Sequence, residues 1–145
     1  MAIHEMDGYH GRALMQIIRS DEFTSINRYD TSIRSAYVIN HNTGLYVKYT
    51  TRENSPWRFS FSADEWSRLT PFASRYPRMF MLFVCGYSKF CVLDCSQFIS
   101  VTSLTGESCW TEISREPGTF FRVRGNVGVL DGSVPPSAYP RRVLQ

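Results

Sequence analysis

The chain has 145 residues, 43% hydrophobic and 20% charged, with a formal net charge of +3. That length suits one domain with a sizeable core, and the composition excludes a disordered chain. No apolar run is long enough for a membrane-spanning helix, the N-terminus has no basic segment leading into an apolar one, and the mild basic excess permits an acidic partner without requiring one. The expectation is a cytoplasmic protein without membrane contact.

In chain order, "HGRALMQIIRS" (10–20) sets Leu14, Ile17 and Ile18 at helical spacing and predicts an amphipathic helix over 11–20. "DEFTSINRYDTSIR" is polar and mixed, a loop or a short extension. "SAYVINH" (35–41) predicts a strand over 36–41, "NTG" a turn, and "LYVKYTT" a second strand over 45–50. After the break at Pro56, "WRFSFS" alternates over 57–62, with Trp57, Phe59 and Phe61 on one side, and is expected to complete a meander with the first two strands. Ser62 then N-caps a helix over 63–70, with Glu65 three residues on in the capping-box position. Pro71 ends or kinks that helix. "RMFMLFVCG" (78–86) is the most apolar stretch and predicts a central strand over 79–85 buried on both faces. "FCVLDC" is a further strand, "SQFISVTS" a short helix or turn, and "SCWTEISR" and "FFRVRGN" a strand pair around "EPG". With neither a linker nor repeats, residues 1–145 read as a single domain, with an extended, proline-rich tail from about residue 130.

No phosphate-cradling glycine loop, hydrolase elbow or histidine-rich metal motif is present. Cys85, Cys91, Cys95 and Cys109 form no CxxC pair and lie far in sequence from His4, His10 and His41, so a zinc site is not expected. Reduced thiols packed as small hydrophobes are expected instead. Trp57, Trp66 and Trp110 read as core residues.

The stretch 30–98 resembles nucleases of the PD-(D/E)xK superfamily, which share the restriction-endonuclease-like fold. Their core runs helix, hairpin with an aspartate, a strand of the form E-V-K-Y-T, helix, and two further strands. "YVKYT" (46–50), "FSFSADEWSRL" and "RMFMLFVCGYSKFCVLD" stand in the last three places. The resemblance implies an α/β (or α+β) fold: a mixed central sheet flanked by helices, restriction-endonuclease-like in its core, with a β-rich C-terminal part. In such nucleases two carboxylates hold a divalent ion and the lysine orients the attacking water. Lys48 matches the lysine. Tyr46 replaces the acid two residues before it, and a neutral phenol is a poor ligand for a hard cation. Asp30 is the candidate for the earlier acid, and Glu65, or Asp64, for one relocated to the next helix. If the site is catalytic, Lys48, Asp30 and Glu65 carry it, with Mg²⁺ or Mn²⁺ on Asp30 and Glu65.

The plain reading of Lys48 is a solvated charge on a hairpin strand. Tyr46, Lys48 and Thr50 share a face, however, and aromatic and basic residues on an exposed sheet suit nucleic acid. Tyr46, Lys48, Arg52, Arg58, Arg122 and Arg124 are therefore the expected nucleic-acid-binding set. The leading expectation is a nucleic-acid-binding protein with a degenerate nuclease-like core and no cleavage activity. One alternative is a non-catalytic interaction or accessory module of bacterial or phage origin, binding a protein partner or a second copy as a homodimer. The other is an active metal-dependent nuclease with a relocated acid.

Overall fold

The computed structural model describes residues 4–106 and 109–145, so Met1–Ile3, Glu107 and Ser108, the last being where the sequence reading of "SCWTEISR" begins, lie outside the described residues. The elements are α1 (Glu5–Ile18), β1 (Ile26–Asp30), β2 (Ile33–Ile39), β3 (Thr43–Thr50), β4 (Trp57–Ser60), α2 (Ala63–Arg75), β5 (Met79–Cys85), β6 (Lys89–Asp94), α3 (Cys95–Val101), β7 (Trp110–Ser114), β8 (Arg122–Gly125), β9 (Gly128–Val129) and α4 (Ala138–Leu144). They form two sheets. The larger has the order β1-β2-β3-β5-β6, and the smaller β4-β7-β8-β9.

The larger sheet is mixed: β3 pairs in parallel with β5, Lys48 opposite Phe83, while its other ladders are antiparallel. A parallel pair needs a crossover, which α2 provides. The fold is therefore a mixed α/β sheet flanked by helices, with a β-rich C-terminal part. Its order (α1, the β2–β3 hairpin, α2, then β5 and β6) is the order the resemblance implies. All seven residues of β5 are buried and it is paired on both sides, so it is an interior strand, as its continuous apolar run predicts. Tyr9 stacks on Tyr49 and Tyr139 packs on Phe90, which sets α1 and α4 on one face of the large sheet. Phe59, Phe61 and Phe98 gather around Phe83 on the other face, joining the small sheet and α3 to it. On that face α2 lies close over β3: a Cβ on Gly44 would stand 2.9 Å from the Phe72 ring.

Several expectations are corrected. The polar segment before β2 contains the edge strand β1. Its exposed Asn27, Arg28 and Asp30, and a register irregularity between Arg28 and Asp30, hide the alternation. Charged residues on an edge strand discourage pairing with another chain. The hairpin turn comes earlier than "NTG": Asn40 and His41 take positive φ of 51° and 67°, and Thr43 and Gly44 already belong to β3. Asn40 tolerates that conformation while its side chain accepts from the Thr24 and Ser25 amides and donates to the Glu22 carbonyl.

β4 is a strand but not the third strand of a meander. The free edge of β3 is taken by β5, and β4 pairs with β7. α2 runs through Pro71 to Arg75. The tail is not simply extended. It ends in α4, interrupted at Tyr139, whose hydroxyl donates to the Ala13 carbonyl on α1. The four cysteines are free thiols, with Cys85, Cys91 and Cys109 buried.

Candidate functional site

Tyr46, Lys48 and Glu65 are brought together by the closeness of α2 to β3. Ser62 caps α2 by accepting from the Glu65 amide at 3.0 Å. The return arm of a capping box is not made, because the Glu65 side chain turns inward instead. Its carboxylate accepts from the Tyr46 hydroxyl at 2.6 Å and from Lys48 Nζ at 3.0 and 3.1 Å. Lys48 also donates to the Ser60 carbonyl at 2.9 Å and lies 4.6 Å from the centre of the Phe61 ring. The two charged side chains are only 19% and 16% exposed. Burial, followed by the hydrogen bond to Glu65, pushes the Tyr46 phenol far above its ordinary range, so it stays a neutral donor. Cys109 lies close enough for its thiol to feel both charges, although burial is the main cause of its raised pKa.

This arrangement corrects two expectations. Tyr46 is buried and Lys48 is committed, so neither faces solvent as a nucleic-acid contact. Asp30 lies at the turn between β1 and β2, and its carboxylate accepts from the Ser32 amide and hydroxyl at 2.9 and 2.8 Å, which lowers its pKa. It has no partner in common with Glu65. A divalent cation needs several oxygen ligands, yet Glu65 is occupied by an ammonium and a phenol while Asp30 serves its own turn. Among the described residues no cluster of three histidine, cysteine or acidic side chains is arranged to hold a metal. The residues present do not fit Mg²⁺ or Mn²⁺.

The four expected arginines divide differently. Arg52 lies in the β3–β4 loop, where its Nε donates to the Asn54 carbonyl and its own carbonyl accepts from the Trp57 indole. Arg58, Arg122 and Arg124 share the outer face of the small sheet. The β4-β7-β8 register puts Arg58, Glu112 and Arg124 directly side by side. Glu112 accepts from Arg58 at 2.9 Å and from Arg124 at 3.0 Å. These two hydrogen bonds, chiefly the one from Arg58, hold the Glu112 carboxyl below its usual range. Trp110, two residues before Glu112 and on the same face, lies under both guanidinium groups, 3.8 Å from Arg58 and 5.3 Å from Arg124. It is thus half-buried beneath arginines and not a core residue.

Further along the same face, the Arg122 side chain is exposed and makes no hydrogen bond or ion pair among the described residues. Phe120, just before β8, is 54% exposed, while its neighbour Phe121 is fully buried. Sequence reasoning missed Trp110, Glu112 and Phe120. The signal was the alternation within "WTEIS" and "FFRVRG", but only the pairing of β4 with β7 shows that these faces coincide.

No family model matches the chain, and neither does any curated protein. Among solved structures, it is similar to Hjc, a Holliday junction resolvase from Archaeoglobus fulgidus, an archaeal hyperthermophile, with 14% identity over 70% of this chain and 79% of that one, and a TM-score of 0.47.

Proposed function

We propose that the protein binds nucleic acid without cleaving it, and that the contact is made by the outer face of the small sheet. The observation that carries the reading is the in-register row Arg58–Glu112–Arg124 over Trp110, with the unpaired Arg122 beside it. One carboxylate holds two guanidinium groups in place and leaves their outer N–H donors facing solvent. Arginine's planar fork matches phosphate oxygens, and fixing it beforehand reduces the ordering cost of binding. The non-cleaving part of the proposal rests on Tyr46 in the place of an acid and on Glu65 being occupied by Lys48 and Tyr46.

The test is fluorescence anisotropy of a labelled oligonucleotide across a salt series, together with a plasmid-nicking assay in Mg²⁺ and Mn²⁺. Binding should weaken steeply with salt through counterion release. The Arg58→Ala/Arg124→Ala double variant should weaken it further, and Lys48→Met should leave it unchanged. An absence of binding at low salt overturns the reading, and so does nicking that disappears in Lys48→Met.

A further inference from the structure

Two clefts of about 530 and 380 Å³ open at the end of the small sheet, and both are lined by Thr119, Phe120 and Arg122. Phe120 therefore stands as an exposed ring between two recesses, next to a guanidinium with no internal partner. The larger recess has an apolar wall from Val123, Val129 and Leu130, beside the Ser133 hydroxyl. The smaller contains Arg115, whose guanidinium is held by the Thr119 carbonyl and lies over the Phe121 ring at 5.3 Å. Phe120 lies just before β8 and lines both recesses with Arg122, and within β8 Arg122 and Arg124 repeat about every 7 Å on one face.

We propose that this end of the sheet selects single-stranded nucleic acid, with one unpaired base stacked on Phe120 and the adjoining phosphates on Arg122 and Arg124. This rests on the nucleic-acid reading above and adds the strandedness. An exposed aromatic ring beside cations is the arrangement that stacks a base of any identity, because every base has a π-face. A duplex has no such face to offer, since its bases are stacked on one another. Recesses of this size hold a ligand the size of a nucleobase, and the arginines supply charge complementary to the backbone. Glu116, in the smaller recess, opposes that charge and disfavours placing a phosphate there.

The experiment compares anisotropy for a labelled single strand of mixed sequence and for the duplex made from it, with wild type, Phe120→Ala, Phe120→Trp and Arg122→Ala. The single strand should bind more tightly than the duplex. Phe120→Ala should lose roughly tenfold in single-strand affinity and leave duplex affinity unchanged. Phe120→Trp should retain affinity, and its added indole fluorescence should be quenched on binding. Arg122→Ala should reduce the slope of log K against log salt by about 1. Equal affinity for strand and duplex, with Phe120→Ala indistinguishable from wild type, overturns this proposal but leaves nucleic-acid binding standing. Absence of binding to either probe overturns the underlying reading instead. Concentration-dependent self-association that Phe120→Ala abolishes overturns the proposal in favour of a contact between two copies.

Discussion

Removing the Glu65 carboxylate tests whether Lys48 is part of the fold or part of a working site. The pair is close, at 3.0 Å, and each side chain is less than one-fifth exposed. A fully exposed pair contributes about 0–1 kcal/mol, whereas removing one partner of a buried pair costs about 3–5 kcal/mol. Glu65→Ala leaves the Lys48 ammonium with only the Ser60 carbonyl and deprives the Tyr46 hydroxyl of its acceptor. A loss of about 3 kcal/mol is therefore expected, taking both orphaned donors into account. Lys48→Met keeps the stem that packs along Phe61 but leaves a half-buried carboxylate with the Tyr46 hydroxyl alone, for a loss of about 2 kcal/mol. The double variant leaves no unmatched charge, so its loss should fall short of the sum of the singles by about 2 kcal/mol. Equilibrium unfolding in urea gives all three values, with the m-value checking that the unfolding transition itself is unchanged. A coupling energy below about 0.5 kcal/mol would show that the contact does not stabilise the fold, and the account of Lys48 as a clamp between β3 and α2 would fail.

Leu82→Ala, in the middle of the fully buried β5, should cost about 2–5 kcal/mol, and an unchanged thermal melt would remove that strand from the core. A Cβ on Gly125 would overlap the Val101 carbonyl oxygen, so Gly125→Ala must force α3 and β8 apart. A loss of about 3 kcal/mol is expected in denaturant, and a neutral result would refute that close approach. Burial pulls the His10 imidazole down to about 4, with Asp7 partly opposing, while its Nδ1 faces the Tyr37 hydroxyl at 2.7 Å. The stability that neutral His10 contributes is complete above its unfolded value of about 6.5 and is lost as pH falls from there towards 4, where the unfolded chain takes up a proton that the fold resists. The difference between wild type and His10→Gln should therefore shrink by about 3 kcal/mol across that window, and parallel stability curves would contradict it.

What the sequence disclosed about the fold depended on whether a residue's neighbours in space were also its neighbours in the chain. The apolar run at 79–85 is buried on both faces whatever pairs with it, and its interior place could be read directly. α2 was legible from Ser62, although Pro71 hid its true length. Pro71, past the middle of the 13-residue helix, removes one hydrogen bond, and the burial of Leu69 and Phe72 against the sheet outweighs that loss. The partner of β4 was not legible. Its alternation gives a strand with an apolar side, but nothing local shows that the matching strand begins only at Trp110. The candidate site failed for the same reason. Tyr46 and Lys48 share a face, and only the position of α2 decides that this face is closed. Glu65 fitted a cap so well that its inward reach could not be inferred. Arg58, Arg122 and Arg124 were chosen for their charge, while Glu112, which organises two of them, is a lone acid in a short strand.

The placement of β4 has a consequence for the order in which the chain assembles. β4 emerges between β3 and α2, yet its ladder partner β7 follows only after β5, β6 and α3. During synthesis from the N-terminus, the large sheet has all five of its strands while β4 still waits, with Trp57 and Phe59 ready on its inner side and its backbone groups unpaired. Such a strand is a template for pairing with another nascent chain. Its outer residues, Arg58 and Ser60, and the proline just before it work against that pairing. Arg58 therefore protects the growing chain before Glu112 exists to hold it, and a neutral, β-favouring replacement such as Arg58→Val would lower soluble yield even where the finished protein is as stable as before.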